Sequence, residues 1–302
     1  MSSRSVFRGL LWTLVALLLV GHVGGGWYFS TRLIDDAFVP TPEAGASVEH
    51  PDAIDVSYVS PLGQMDAVHI PASGSTWVIH VHGKDSATSQ MEYLFAPIHD
   101  AGFPQLSITH RNDFGQPMDP SGYHQYGVAE WEDVEGAVEF AEDNGAQAVI
   151  FSGFSTGASH ILSFVYRNNL DEVKGLIFDA PNIDMGDTVD FAGNQEEMPL
   201  VPMNVPPTVT WVAKFMTSLR ISVNWKSIDY ISKAKTSLRV PVLVQHTTGD
   251  LTVPITQSIR FAETQPSLVK LVQYPGSTHH GSYDSDPEKY VSEVLSFLQE
   301  NG

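Results

Sequence analysis

The sequence predicts an α/β fold: a mostly parallel central sheet flanked by helices. Three observations lead there. From Trp77 onward, short apolar runs of strand length alternate with stretches whose apolar residues recur at helical spacing. Two earlier strand signals are joined by a tight turn, which places an antiparallel edge beside that sheet. Hydrophobic residues make up 42% of the 302 positions, enough for a sizeable core, and this excludes a disordered or fibrous chain.

The elements follow in order. Residues 1–9 carry Arg4 and Arg8 and no acid, and residues 10–29 contain no Asp, Glu, Lys or Arg. Such a run reaches across a hydrocarbon core of ~30 Å. The basic flank favours a cytoplasmic N-terminus, with Trp27 and Tyr28 at the outer interface. The run reads as a transmembrane anchor or as a cleaved signal segment, its Gly24-Gly25-Gly26 supplying small residues. Both place the remaining chain outside the cytoplasm. Residues 30–52, with Pro40, Pro42 and Pro51, read as a tether, and residues 53–302 as the globular domain.

Within that domain Ile54–Tyr58 alternates with period two and Met65–Ile70 follows the turn Pro61-Leu62-Gly63-Gln64. Trp77–Val81 has the unbroken apolar character of a buried central strand. Helix is expected over 90–101, strand over 105–109, and helix through Val128, Trp131, Val134, Val138 and Ala141. Strand follows at 147–151, helix at 156–166 and strand at 175–178. The C-terminal part alternates again: strand 240–245, helix 255–262, strand 268–273 and an amphipathic helix 287–298. Between residues 181 and 235 the alternation stops. This segment carries two helical patterns, 188–197 and 208–219, and is rich in Met, Trp and Pro. Its length far exceeds an ordinary connection, so it reads as a lid insertion.

Charge and cysteine content exclude several functions. The formal charge is −19, and a surface this acidic repels phosphate backbones, so no nucleic-acid partner is expected. There is no cysteine, which excludes disulfides, thiolate metal sites and a cysteine nucleophile.

The strongest local signal is Gly153-Phe154-Ser155-Thr156-Gly157, which follows an apolar strand and opens a helix. In that context the pattern is a nucleophile elbow: Gly153 and Gly157 allow a tight turn that exposes the Ser155 hydroxyl at a helix N-terminus. Serine needs a base to take its proton. An acid and then a histidine should follow in chain order. Asp250 lies in Gly249-Asp250-Leu251-Thr252-Val253-Pro254 and His279 in Gly276-Ser277-Thr278-His279-His280, each just past an expected strand. His280 is the alternative base, and Asp179 a second strand-end acid. An acyl-transfer site also needs backbone donors for the oxyanion. The N–H groups of Thr156 and of Lys84, in the loop His82-Gly83-Lys84-Asp85, are the candidates. The pair His80-x-His82 has metal-ligand spacing, but the Asp-His expected close by is missing, because Asp85 precedes Ser86. No cofactor and no metal are expected.

Together these residues resemble the α/β-hydrolase superfamily, over about residues 53–300. Further stretches are similar to bacterial serine hydrolases of lysophospholipase, carboxylesterase or serine aminopeptidase type: Arg111-Asn112-Asp113, Glu130-Trp131-x-Asp133, Asp179-Ala180-Pro181, and His279 followed by Tyr283 and Asp286-Pro287. The resemblance implies an α/β-hydrolase fold with a lid, favours His279 over His280, and makes Arg111, Asn112, Asp113 and Trp131 scaffold residues. Thr156 departs from the Met or Gln common at that position, a change a backbone donor tolerates.

The function expected is hydrolysis of an acyl ester by a serine hydrolase, of carboxylesterase or lipase/lysophospholipase type. The substrate would be a small-molecule acyl ester or a lipid. Two alternatives stand beside it: a serine peptidase acting on short peptides, and a non-catalytic binding protein on the same scaffold.

Overall fold

The computed structural model describes residues 3–168, 171–198 and 201–302, apart from the side chains of residues 3–6, 17 and 201; Arg4 of the basic flank therefore lies outside the described side chains. The chain divides into two compact units, one of residues 40–188 and 226–302, the other of residues 1–39 and 189–225.

The larger unit is built on eight strands: β1 (Ile54–Ser60), β2 (Gly63–Ile70), β3 (Thr76–Val81), β4 (Gln105–Ile108), β5 (Ala148–Phe154), β6 (Val173–Asp179), β7 (Val242–Thr247) and β8 (Val269–Tyr274). Their order across the sheet is β1-β2-β4-β3-β5-β6-β7-β8. β1 and β2 form the antiparallel edge, β2 pairs antiparallel with β4, and every other pairing is parallel.

Successive strand residues point to opposite faces, and here each face meets a helical layer. Trp77, Ile79, Val149, Phe151, Leu176, Phe178, Val242 and Val244 enter one core, together with Val134, Ala137, Val138 and Ala141 from α3 (Trp131–Asp143) and Ile161 and Leu162 from α4 (Thr156–Arg167). Val78, Ile150, Ile177 and Leu243 enter the other, against Tyr290, Val294, Phe297 and Leu298 of a C-terminal helix (Pro287–Asn301). Burial on both faces explains why the central strands read as continuous apolar runs and not as alternation.

The tether expected over 30–52 starts later, because helix continues through Leu33 and a π-helical turn through Phe38, and one expected helix changes. The helix foreseen over 90–101 begins only at Phe95, as α2 (Phe95–Asp100), behind a single 3-10 turn at Glu92–Leu94. Pro97 has no N–H to continue a helix begun earlier, and is accommodated in the first turn of α2.

The smaller unit holds α1 (Ser3–Leu33), extended by a π-helical turn at Ile34–Phe38, and α6 (Pro207–Ile221). A short hairpin pairs Glu197–Met198 with Val201–Asn204. Before it, α5 (Met185–Gln195) carries the chain out of the larger unit. Among the described residues, Phe7–Phe38 is the one helix long and apolar enough to cross a membrane. α1 and α6 lie side by side. A Cβ on Gly26 would overlap the Val212 side chain, and one on Gly25 would stand 3.4 Å from Val209. Ser30 bonds Thr217 at 3.1 Å, and the Arg220 guanidinium sits 4.6 Å over the Trp27 ring.

Candidate active site

β5 delivers the chain to Ser155 at its C-terminal end, where sheets of this kind carry their ligands. Ser155 has φ 50° and ψ −117°, a conformation side chains rarely adopt. Three backbone hydrogen bonds hold it: Ser155 N–H donates to Asp179 at 3.0 Å, and the Ser155 carbonyl accepts from Asn182 at 3.0 Å and Ala158 at 3.2 Å. The turn also needs space. A Cβ on Gly157 would overlap the Val81 carbonyl oxygen, and one on Gly153 would stand 2.6 Å from Ile161. Gly157 thus lets the start of α4 press against the end of β3, and Gly153 lets α4 pack closely on β5.

Two further strand ends converge on Ser155. His279, past β8, brings Nε2 to 3.0 Å from Ser155 Oγ. Its Nδ1 lies 2.7 Å from Asp250 Oδ2, past β7. With the ring proton on Nδ1, His279 donates to Asp250 and its Nε2 is free to accept the serine proton. Asp250 is itself tightly held. Its Oδ1 accepts from the N–H groups of Thr252 at 2.7 Å and Val253 at 3.0 Å, and His246 Nε2 lies 3.1 Å from Oδ2. Burial would raise this carboxyl's pKa, but the hydrogen bonds from His246 and His279 outweigh it and hold it well below the usual carboxylate range.

The two rival residues point elsewhere. His280 packs its ring 4.4 Å from that of Phe154, with Nε2 3.3 Å from Tyr93 Oη. Burial and the neighbouring His279 lower its pKa. Asp179 accepts from Ser282 Oγ at 2.8 Å and Tyr290 Oη at 3.2 Å. Burial pushes its carboxyl up to about 7 against the opposing effect of those two hydroxyls.

The His82-Gly83-Lys84 loop is fixed from behind. His82 Nδ1 lies 2.8 Å from the Gly83 carbonyl oxygen, and Gly83 N–H donates to Gln90 Oε1 at 2.7 Å. In a trans peptide the C=O and the following N–H point opposite ways. Anchoring Gly83 C=O to His82 therefore turns Lys84 N–H away from His82. Thr156 N–H, at the first position of α4, has no preceding helical turn to supply a carbonyl. The Lys84 ammonium pairs with Asp85, which also meets His124 at 3.1 Å.

His82 also stands 2.9 Å, through Nε2, from Asp113 Oδ2, with both side chains buried. Burial lowers the His82 pKa, but Asp113 outweighs it and the net shift is upward. The adjacent His110, also buried, is shifted down. The His110 ring is stacked 4.4 Å from that of His82. His82, His110 and Asp113 bring possible metal-ligand atoms within 4.8 Å of one another, the grouping closest to a metal site among the described residues. The pair His80-x-His82 does not converge. His80 Nε2 meets Gln105 Oε1 at 3.0 Å, and burial lowers its pKa to about 4. His82 has left the strand, so the two rings part.

Arg111 binds Asp133 through Nε at 2.8 Å and Nη2 at 2.9 Å, and Asp119 at 3.2 Å, tying its loop to α3. The resemblance made Asp113 a scaffold residue, and it touches His82 directly. His246 and Gln90 have no motif of their own. The one sequence signal for His246 is its place four residues before Asp250 at a strand end.

No family model matches the chain, and no curated protein matches it in sequence. Solved structures do match. An esterase of Pyrococcus furiosus superposes with a TM-score of 0.67 at 18% identity, covering 88% of this chain and 99% of its own. A thermophilic esterase from Thermogutta terrifontis gives 0.58 at 16% identity, covering 82% and 99%. The acylaminoacyl peptidase of Pyrococcus horikoshii gives 0.62 at 15% identity, covering 82% of this chain and 41% of its own. At these identities the likeness establishes the fold, and the chain has the α/β-hydrolase fold.

Proposed function

We propose that the chain is a serine hydrolase of acyl esters, working through an acyl-enzyme. One observation carries the reading: Ser155 Oγ, His279 Nε2, His279 Nδ1 and Asp250 Oδ2 form an unbroken series with contacts of 3.0 and 2.7 Å. Ser155 attacks the acyl carbonyl while His279 takes its proton. The Thr156 and Lys84 N–H groups receive the oxyanion. His279 then protonates the leaving group, and Asp250 stabilises its cation throughout. Water, deprotonated by His279, releases the acyl group and restores Ser155. His82, Gly83, Gly153 and Gly157 support the elbow and the donor loop.

The substrate in this reading is a small-molecule acyl ester or a lipid of carboxylesterase or lysophospholipase type. The apolar helix supports attachment to the cell membrane, with the hydrolase domain outside the cytoplasm. A form secreted after signal cleavage is the alternative.

The test uses the full chain in detergent micelles. Wild type and Ser155→Ala are exposed to a fluorescent fluorophosphonate, then to p-nitrophenyl esters of two to sixteen carbons and to aminoacyl p-nitroanilides. Labelling and turnover by wild type alone support the reading, with turnover in the variant lower by on the order of 10⁴-fold or more. Turnover of anilides and not esters favours the peptidase. Folded wild type that neither labels nor turns over substrate removes the enzyme and leaves a binding protein.

A further inference from the structure

α6 is apolar on two opposite faces. Val209, Ala213 and Thr217 form one buried stripe, turned toward α1. Trp211, Phe215 and Leu219 form the other, 65%, 52% and 70% exposed. Their spacing of four residues keeps them in one row, and the Trp211 and Phe215 rings lie nearly parallel with centroids 6.0 Å apart. Lys214 and Arg220 flank this second row, yet a contiguous row of large apolar side chains left open on a helix marks a contact surface.

The packing also sets the level of that face. His22 meets Thr208 at 3.0 Å, Gly26 abuts Val212, Ser30 meets Thr217, and Arg220 reaches Thr31 at 2.9 Å. α6 therefore runs parallel to α1 beside residues 22–31. Residues 7–20 of α1 extend beyond the start of α6 and expose Leu10, Trp12, Leu14, Leu18 and Val20. If residues 10–29 cross the hydrocarbon core, residues 22–29 lie in its outer third and residues 30–31 reach the headgroup layer. Trp27 and Tyr28, both exposed, suit that depth, as do Trp211 and Phe215 beside them. Arg220 and Arg32 mark its polar side. At 15 residues α6 is too short to span a bilayer, but long enough to lie within its boundary.

We propose that the Trp211–Phe215–Leu219 face of α6 is a second membrane-contact surface, seated in the outer acyl–headgroup boundary beside α1. The inference rests on α1 being a membrane anchor. The occupant is the lipid bilayer itself, and the contact is apolar. With a formal charge of −19 the chain gains nothing from anionic lipid. The contact should therefore form equally well on zwitterionic vesicles.

The chain has no cysteine, so single cysteines can be placed without further changes. Phe215→Cys, Leu14→Cys and Val59→Cys would each carry an environment-sensitive nitrobenzoxadiazole label, with the full chain reconstituted in phosphatidylcholine vesicles. Quenching by phospholipid brominated near the headgroup, and by aqueous iodide, is then compared. The expected result is lipid quenching at 215 several-fold above that at 59, with iodide quenching correspondingly reduced. A label at 215 that behaves like the one at 59 overturns the inference. So does a label at 215 shielded from iodide yet untouched by brominated lipid, which would assign the face to a second copy of the chain or another protein surface. Position 14 separates the premises: lipid quenching there but not at 215 retains the anchor and rejects the second surface, and none at 14 rejects both. Because the labels report location and not turnover, the hydrolase reading is unaffected by any of these outcomes.

Discussion

His246 and His279 approach the same oxygen of Asp250. His279 Nδ1 is 2.7 Å from Oδ2 and His246 Nε2 is 3.1 Å from it, while Ser258 Oγ lies 2.8 Å from His246 Nδ1. With Ser258 donating to Nδ1, the His246 proton sits on Nε2 and points at the carboxylate. The oxygen that receives His279 is therefore also oriented by a second imidazole.

Replacing His246 by Leu should weaken the site by one hydrogen bond to a charged group, about 1.5–3 kcal/mol. Turnover should fall roughly tenfold. His246→Gln, which retains a donor, should recover most of the lost turnover. A loss that the Gln variant does not recover would mean that His246 serves packing alone.

The pair His82–Asp113 offers a test of the donor loop. Removing one partner would strand a buried charge, so the informative variant is His82→Leu with Asp113→Asn. It frees the Gly83 carbonyl and with it the orientation of Lys84 N–H. Turnover should drop by about 10²-fold, in the range for a lost oxyanion donor, with KM within a few-fold of wild type. Unchanged turnover would remove the loop from the mechanism.

Asp179 makes stability depend on pH. Its folded pKa is raised to about 7 from an ordinary 3.8. The stabilisation from its neutral form is complete below the ordinary value and is lost as pH rises through about 7. Asp179→Asn copies the neutral form at every pH. Urea unfolding should find the variant more stable than wild type at pH 8, by on the order of a few kcal/mol, and comparable at pH 4. A constant difference across that range would contradict the raised pKa.

Gly157→Ala forces a methyl group against the Val81 carbonyl. The expected loss is about 1–3 kcal/mol, or roughly 2–12 °C in melting temperature. Ester turnover should fall with it, since α4 carries the Thr156 donor. A variant with wild-type melting and turnover would show that the contact relaxes freely.

The core strands were legible because burial on both faces writes an unbroken apolar run, as in Val149-Ile150-Phe151. Ser155, Asp250 and His279 were legible because each follows an expected strand and has a turn signature beside it. His246, Gln90 and the tie between His82 and Asp113 were not. Each acts by touching a residue from another strand or loop, and no local pattern records that meeting. Likewise the break before Phe95 depends on one proline inside an otherwise helical pattern. The partnership of α1 with α6 joins residues 22–31 to 208–220, far apart in sequence, and the glycine run that permits it reads equally well as the tail of a signal segment.

That partnership bears on how the protein is handled. Trimming an apolar N-terminus is the usual route to a freely soluble sample. Here a cut at Pro40 also strips Val209, Ala213 and Thr217 of the glycine-lined surface that covers them, and leaves Arg220 without Trp27 and Ser30. A trimmed sample would present two bare apolar stripes on one helix and should self-associate. Light scattering of the trimmed and full-length chains in matched detergent would measure how much of the α6 surface depends on the segment removed.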